Sequence, residues 1–318
     1  MQLNAAAQNA YKKGAYNHFR VECIGNEMKT WVNGVAAAYV VDTLDPKGFI
    51  GLQVHAINSP DHAGKKVGFK NVRIKTTNLV STPFPANVYV ANFVPNSLTA
   101  YEKKDGWRLL FDGKTNKGWR SAKANNFPEK GWDINNGVIS VLPAGGSEST
   151  NGGDIITNDQ YAAFDLSFEF KLTPGANSGL KYFVTLAEAS SGSAIGLEYQ
   201  ILDDTLHADA KMGRNGNRTL ASLYDMIKAE KQRRFLRPIG QWNFGRVIVY
   251  PDNKVEHYLN GVKVLEYVRG SKEYKDLVAI SKYVVWKNFG EAPKGHILLQ
   301  DHGNAVSYRS IKIKELNP

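Results

Sequence analysis

The sequence predicts an all-β chain folded as a two-sheet sandwich or jelly roll. Three observations carry that expectation: short period-two apolar runs bounded by Gly, Asn, Asp and Pro recur along the chain, helical periodicity is sparse, and one series of strand words occurs twice.

The first strands are FRVECI (Phe19 to Ile24) and MKTWV (Met28 to Val32), joined at Gly25-Asn26-Glu27. Asn33-Gly34 turns the chain again, since both residues tolerate positive φ. GFIGLQVH (Gly48 to His55) and VGFKNVRIK (Val67 to Lys75) read as further strands. Residues 78–104 carry Pro83, Pro85 and Pro95 without either period, which predicts an extended linker with a short strand at Asn87 to Ala91. From Gly106 onward come about nine runs: Trp132 to Leu142, Phe164 to Leu172, Leu180 to Leu186, Leu197 to Leu202, Arg246 to Tyr250, Val255 to Leu259, Val262 to Tyr267, His296 to Gln300 and Ser307 to Lys314. Helix is expected only at Ser222 to Arg234 and briefly within Ser271 to Tyr283.

The repeat is ordered. YNHFRV (Tyr16 to Val21) answers WNFGRV (Trp242 to Val247), and VNGV (Val32 to Val35) answers LNGV (Leu259 to Val262). GFIGLQVH answers GHILLQDH (Gly295 to His302), and VGFKNVRIK answers VSYRSIKIK (Val306 to Lys314). This is a tandem duplication of a β module. Residues 1–77 form a partial module equivalent to the carboxyl-terminal part of a jelly roll, 78–104 the linker, and 105–318 a complete jelly-roll domain. A half sandwich leaves strand edges unpaired. Tyr16 to Thr77 is therefore expected to be covered by the second module, by another chain in an oligomer, or by further polypeptide of a longer product.

Composition narrows the function classes. In 318 residues, 42% hydrophobic and 22% charged, disorder and collagen are excluded. The net charge of +10 raises the question of an acidic partner, but the basic residues are scattered; the only dense run is Lys228 to Arg237, which reads as a solvated helix or loop. No zinc-finger or RNP pattern accompanies it, so no nucleic-acid partner is expected. Cys23 is the sole cysteine, which rules out an intrachain disulfide. The first residues lack the pattern of a signal peptide, and no apolar run approaches the ~18 residues of a membrane span.

Candidate site residues come from strand alternation. In GLEYQILDD, Gly196, Glu198, Gln200 and Leu202 share one face, while Leu197, Tyr199 and Ile201 share the other. A carboxylate and an amide thus project together from a strand with an apolar back. Gln300 with His302, Lys181 with Phe183, and Glu169 with Lys171 form comparable pairs. Asp203, Asp204, His207 and Asp209 offer oxygen and nitrogen donors within a short loop, a weak pattern for a divalent metal; nothing in the sequence requires a cofactor.

GWRLLFDGK, NSGLKYF (Asn177 to Phe183), GLEYQILDD, GQWN (Gly240 to Asn243), the LNGV turn, SKY (Ser281 to Tyr283) and GHILLQDHG together resemble the 3-keto-disaccharide hydrolase family. The resemblance spans Gly106 to Leu316, and Tyr16 to Lys75 is similar to the last third of a second copy. It implies a concanavalin-like jelly roll that binds a carbohydrate substrate on one sheet face. It also implies cleavage of glycosides oxidised at carbon 3, by exported or periplasmic proteins. The family often has Arg after its NSG motif, whereas Lys181 follows here, and the loop Asp203 to Arg218 is variable in the family.

On that resemblance the 3-keto group acidifies the hydrogen on carbon 2, and a base can start an elimination that water completes. Glu198 is the expected base or acid, unless it pairs structurally with Lys171 or Lys181. His302 is its expected partner, although the matching His55 allows a strand-end role. Lys181 would hold the oxyanion, or else bridge to Glu169 or Glu198. Gln200, Gln300, Asn177, Ser178 and Glu169 are expected to contact substrate; Tyr224 and Trp286 would stack on a sugar or be buried, and Trp107, Trp119, Trp132 and Trp242 are assigned to the core. The rival readings are a non-catalytic carbohydrate-binding module and a two-carboxylate hydrolase pairing Glu198 with Glu169.

Overall fold

The structure is a computed structural model and describes residues 4–53, 59–85, 88–189 and 193–316; the expected role of His55 falls outside them. The chain divides into two compact units, Leu3–Val94 and Pro95–Pro318.

In the first unit a short helix, α1 (Ala5–Ala10), is capped by the Asn4 side chain, which accepts from the Ala7 amide. Strands β1 (Phe19–Ile24), β2 (Glu27–Val32) and β3 (Val35–Val41) form an antiparallel meander, and β4 (Val90–Asn92) joins β3 in parallel. The turn between β2 and β3 uses Asn33 and Gly34 at φ +48° and +84°, the left-handed conformation that Asn-Gly supplies cheaply. Trp31 and Tyr39 each meet Phe84 edge to face at 5.4 Å. Of the two remaining expected strands, the described residues 48–53 and 67–75 join no ladder, and their apolar side chains are exposed. A strand is a property of its ladder, and no described residue supplies one here.

The second unit opens with α2 (Ala100–Lys104), where a linker was expected. Thr99 accepts from the Glu102 amide and the Glu102 carboxylate accepts from the Thr99 amide, a capping box legible as T-x-x-E. The strands are β5 (Trp107–Leu109), β6 (Trp119–Ser121), β7 (Trp132–Asn135), β8 (Val138–Val141), β9 (Ile155–Thr157), β10 (Phe164–Leu172), β11 (Asn177–Ala189), β12 (Ala194–Leu202), β13 (Asn243–Val249), β14 (Lys254–Leu259), β15 (Val262–Val268), β16 (His296–Leu299) and β17 (Val306–Glu315). One sheet runs β15-β14-β13-β10-β17-β8-β7, with β5 also on β17; the other runs β12-β11-β16-β9-β6. This is a jelly-roll sandwich. Phe164, Leu166, Phe168 and Phe170 of β10 meet Leu180, Tyr182, Leu197 and Tyr199 of the facing sheet in one buried core. Gly245 is small because a Cβ there would lie 2.3 Å from the Phe168 ring. Trp119 and Trp132 are core residues as expected, whereas Trp242 is half-buried beneath the Arg309 guanidinium at 4.1 Å.

A polar cluster is sealed in this core. The Tyr182 hydroxyl lies 2.8 Å from His257 Nε2 and 2.8 Å from the Tyr267 hydroxyl, and His257 Nδ1 lies 3.0 Å from the Ala221 carbonyl. Burial lowers the His257 pKa to about 4, so the ring is neutral and Nδ1 donates to Ala221.

The helix expected at Ser222 to Arg234 is absent. Instead the Ala221 and Tyr224 amides donate to the Gln200 and Glu198 carbonyls, at 2.8 and 3.1 Å, so this segment covers the free edge of β12. Ala221 and Asp225 take φ of +67° and +59°, which no helix accepts. The second expected helix is α3 (Lys272–Ala279), capped by Ser271. No helix among the described residues is long and apolar enough to cross a membrane.

Candidate active site

The face of the five-stranded sheet that points away from the core carries the polar chemistry. Leu180, Tyr182, Leu197, Tyr199, Ile201 and Leu299 take the core side of β11, β12 and β16, so alternation turns Lys181, Glu198, Gln200 and Gln300 the other way. Register then brings them together. Lys181 stands directly opposite Glu198, Gly179 stands opposite Gln200, and the Gln300 amide donates to the Gly179 carbonyl at 2.9 Å.

Gly179 has a spatial reason. A Cβ there would lie 2.3 Å from Glu198 Oε1, so the carboxylate lies across the glycine. Glu198 is only 4% exposed, and burial raises its pKa, opposed by the Lys181 and Lys282 cations and assisted by Glu148 and Asp154. A carboxyl group held in this way exchanges protons closer to neutrality than an ordinary glutamate. Burial likewise raises Asp154, which accepts from the Ser193 hydroxyl and, at 3.0 Å, from the Asp301 amide. Lys181 Nζ donates to Ser193 Oγ at 2.6 Å and to the Ala194 carbonyl at 3.3 Å, so its ammonium is aimed by a hydroxyl that is itself fixed by Asp154.

The strands of this face and the chain just after β16 also carry buried polar atoms with no protein partner: Asn177 Oδ1, Gln200 Nε2, Gln300 Oε1 and His302 Nδ1. Stranding such atoms costs about 1–3 kcal/mol each. All come from residues expected to contact substrate or reacting groups, and a hydroxylated ligand would satisfy them. The Gln300 amide nitrogen is held by Glu148 Oε1 at 2.9 Å.

A second cluster adjoins the first through Tyr224. The His302 and His207 rings meet edge to face at 5.7 Å, and burial together with His302 lowers the His207 pKa. Arg218 bonds Asp209 at 2.9 Å and Asp225 at 2.8 Å, and its guanidinium lies 5.2 Å from the Tyr224 ring. The Lys282 ammonium sits 4.2 Å over the same ring. Burial, then the Glu198 and Asp209 charges, push the Tyr224 hydroxyl far above its ordinary pKa. The charges acting most strongly on Glu198 are Lys181, Lys282, Glu148 and Asp154, and the ring against His302 is that of His207.

Other expected residues fall elsewhere. Glu169 is on the outer face of the opposite sheet, where Arg309 binds it at 2.8 Å, because its neighbours Phe168 and Phe170 take the core side of β10. Ser178 faces the core and bonds the Gln300 carbonyl and the Tyr308 hydroxyl, both at 2.6 Å. Trp286 is half-buried against Tyr283 and the core cluster. Each proposed metal donor has a protein partner: Asp203 accepts from the Gly175 amide, Asp204 from Lys231, Asp209 from Arg218, and His207 Nδ1 from the Asp209 amide. Among the described residues no three such side chains gather into a metal-binding group. Sequence reasoning missed Asp154, Glu148, Ser193 and Lys282. Only Lys282 carried a signal, inside the SKY motif.

A jelly roll with a buried carboxylate, aimed cations and unsatisfied amides on one sheet face has the character of a carbohydrate-active protein. Comparison with known proteins makes this specific. Residues 1–75 and 106–314 match the 3-keto-alpha-glucoside-1,2-lyase-like domain, and the chain belongs to that family. It is 34% identical over 276 residues to a 3-keto-disaccharide hydrolase of Bacteroides thetaiotaomicron, covering 80% of this chain and 93% of that protein. A crystal structure of a proposed glycosyl hydrolase from Parabacteroides distasonis is 32% identical with a TM-score of 0.60, covering 70% of this chain and all of that one. The protein is thus a glycoside-cleaving enzyme.

Proposed function

We propose that the enzyme cleaves glycosides whose sugar is oxidised at carbon 3. The observation that carries this reading is Glu198, a buried carboxyl raised by desolvation and placed opposite Lys181 among unpartnered amides. Glu198 takes the proton from carbon 2, and the electrons of that bond delocalise onto the ketone oxygen as an enolate. Lys181 stabilises the enolate oxygen as its charge develops. Collapse of the enolate breaks the bond from carbon 1 to the glycosidic oxygen, which leaves as an alcohol after protonation, for which His302 is the assigned donor. Water then adds across the resulting double bond, its oxygen to carbon 1 and its proton to carbon 2. Gln200, Gln300 and Asn177 hold sugar hydroxyls, and Tyr224, with Arg218 and Lys282 against its ring, stands beside Glu198.

The test is a panel of matched glycosides in native and 3-oxidised form. Turnover confined to the 3-oxidised members is expected. Turnover of the native members at similar rates would replace this reading with a two-carboxylate hydrolase, for which Asp154 and Glu148 stand nearer Glu198 than Glu169 does. Binding without turnover of either form would leave a carbohydrate-binding module.

A further inference from the structure

The first unit carries one edge whose expected neighbour can be deduced from the second. In the second unit, β10 lies between β13 and β17 and pairs with both along its length. The counterparts of β13 and β17 in the first unit are β1 and Val67–Lys75, and there β1 is the last strand of its sheet. Val67–Lys75 runs close by, with Lys70 Nζ 3.9 Å over the Tyr16 ring at the approach to β1.

Three features that accompany the seating of β10 in the second unit are kept in β1 and Val67–Lys75. The apolar side chains keep their spacing: Val67, Phe69, Val72 and Ile74 answer Val306, Tyr308, Ile311 and Ile313, all of which are buried in the second unit and all exposed in the first. The bulge is kept as well. Ser310 takes φ +52° where β17 shifts register along β10, and its counterpart Asn71 takes φ +53°. The cations are kept too: Arg246 and Arg309 bind Asp165 and Glu169 of β10, and their counterparts are Arg20 and Lys70. Arg20 now leans on Glu22 at 2.7 Å and on Thr82 Oγ1 at 2.6 Å, while Lys70 has the Tyr16 ring.

We propose that β1 and Val67–Lys75 form a docking surface for one extended strand supplied from outside this chain. That strand alternates large apolar residues with carboxylates four residues apart, in the manner of FDLSFEFKL. A second copy of this chain is not the occupant, because its own matching strand is fully paired on both edges and buried but for Lys171. The docked strand adds backbone hydrogen bonds to both edges, covers the exposed apolar row, and draws Arg20 and Lys70 onto its acidic positions.

The test uses the full chain and two synthetic peptides with identical solubilising tails: residues 163–173 of this sequence, and the same peptide with lysine at the positions of Asp165 and Glu169. The first peptide is expected to slow amide exchange in Phe19–Ile24 and Val67–Lys75, and the second to protect them at least about tenfold less. Substituting Arg20→Glu with Lys70→Glu in the chain should weaken the first peptide and strengthen the second. Absence of protection, equal protection by both peptides, or burial of the same amides by concentration-dependent self-association of the chain alone would each overturn the proposal.

Discussion

Val21 and Val247 hold the same place in two copies of one sequence motif, yet Val21 is 67% exposed and Val247 is fully buried. The same holds for Ile50 against Ile297, Leu52 against Leu299, and Ile74 against Ile313. Identical local patterns therefore have opposite fates, and the difference lies in what faces them. The second unit has β10 and β11 to pair with; the first has, among its described residues, no equivalent of either. Strand propensity and alternation name a candidate strand, and a neighbouring ladder makes it one. The same absence removes the candidate site residues. Gln53 answers Gln300, but Lys181, Glu198 and Gln200 lie on strands with no counterpart in the first copy.

The sharpest break of this comparison is a pair of matched truncations. Ile313→Ala should cost about 2–5 kcal/mol in denaturant unfolding of the second unit, through lost burial and a cavity. Ile74→Ala should cost about 0.5 kcal/mol or less. Equal costs would mean that the first copy buries this row in solution.

Next in size is an acid response confined to the second unit. The His257 pKa is lowered to about 4 by burial, so between that value and about 6.5 the unfolded chain binds more protons than the folded one. Its contribution is complete above pH 6.5 and is lost as pH falls toward 4, by about 3 kcal/mol. Calorimetry across that window should show the slope, and His257→Gln should flatten it.

Two smaller effects sharpen the site. Gly179→Ala should displace the Glu198 carboxylate and lower kcat/KM about tenfold or more while changing stability little, because the Cβ meets the movable end of a side chain. Lys181→Met removes a cation that lowers the Glu198 pKa, so the acidic limb of the kcat/KM profile should move to higher pH.

Legibility followed sequence distance. The face shared by Glu198 and Gln200 could be read from GLEYQILDD because alternation is local, and the turns at Asn33-Gly34 and Asn260-Gly261 could be read because φ is local. What required the fold was sheet membership. Glu169 and Glu198 both sit on strands beside apolar neighbours, and only the topology shows that the core separates them. Asp154 bonds Ser193 across 39 residues, and Glu148 reaches Gln300 across 152, with no periodic pattern to announce either. Tyr224 sits beside Glu198 because its segment covers the edge of β12, a role that the helical look of Ser222 to Arg234 concealed.

If the buried carboxyl of Glu198 moves the proton in glycoside cleavage, Glu198→Gln should suppress turnover and spare binding. The substitution keeps size and polarity and removes the titrating group. With a 3-oxidised glycoside, kcat should fall about 10²- to 10⁴-fold while substrate binding is retained within a few-fold. Unchanged turnover by the folded variant would contradict the assignment.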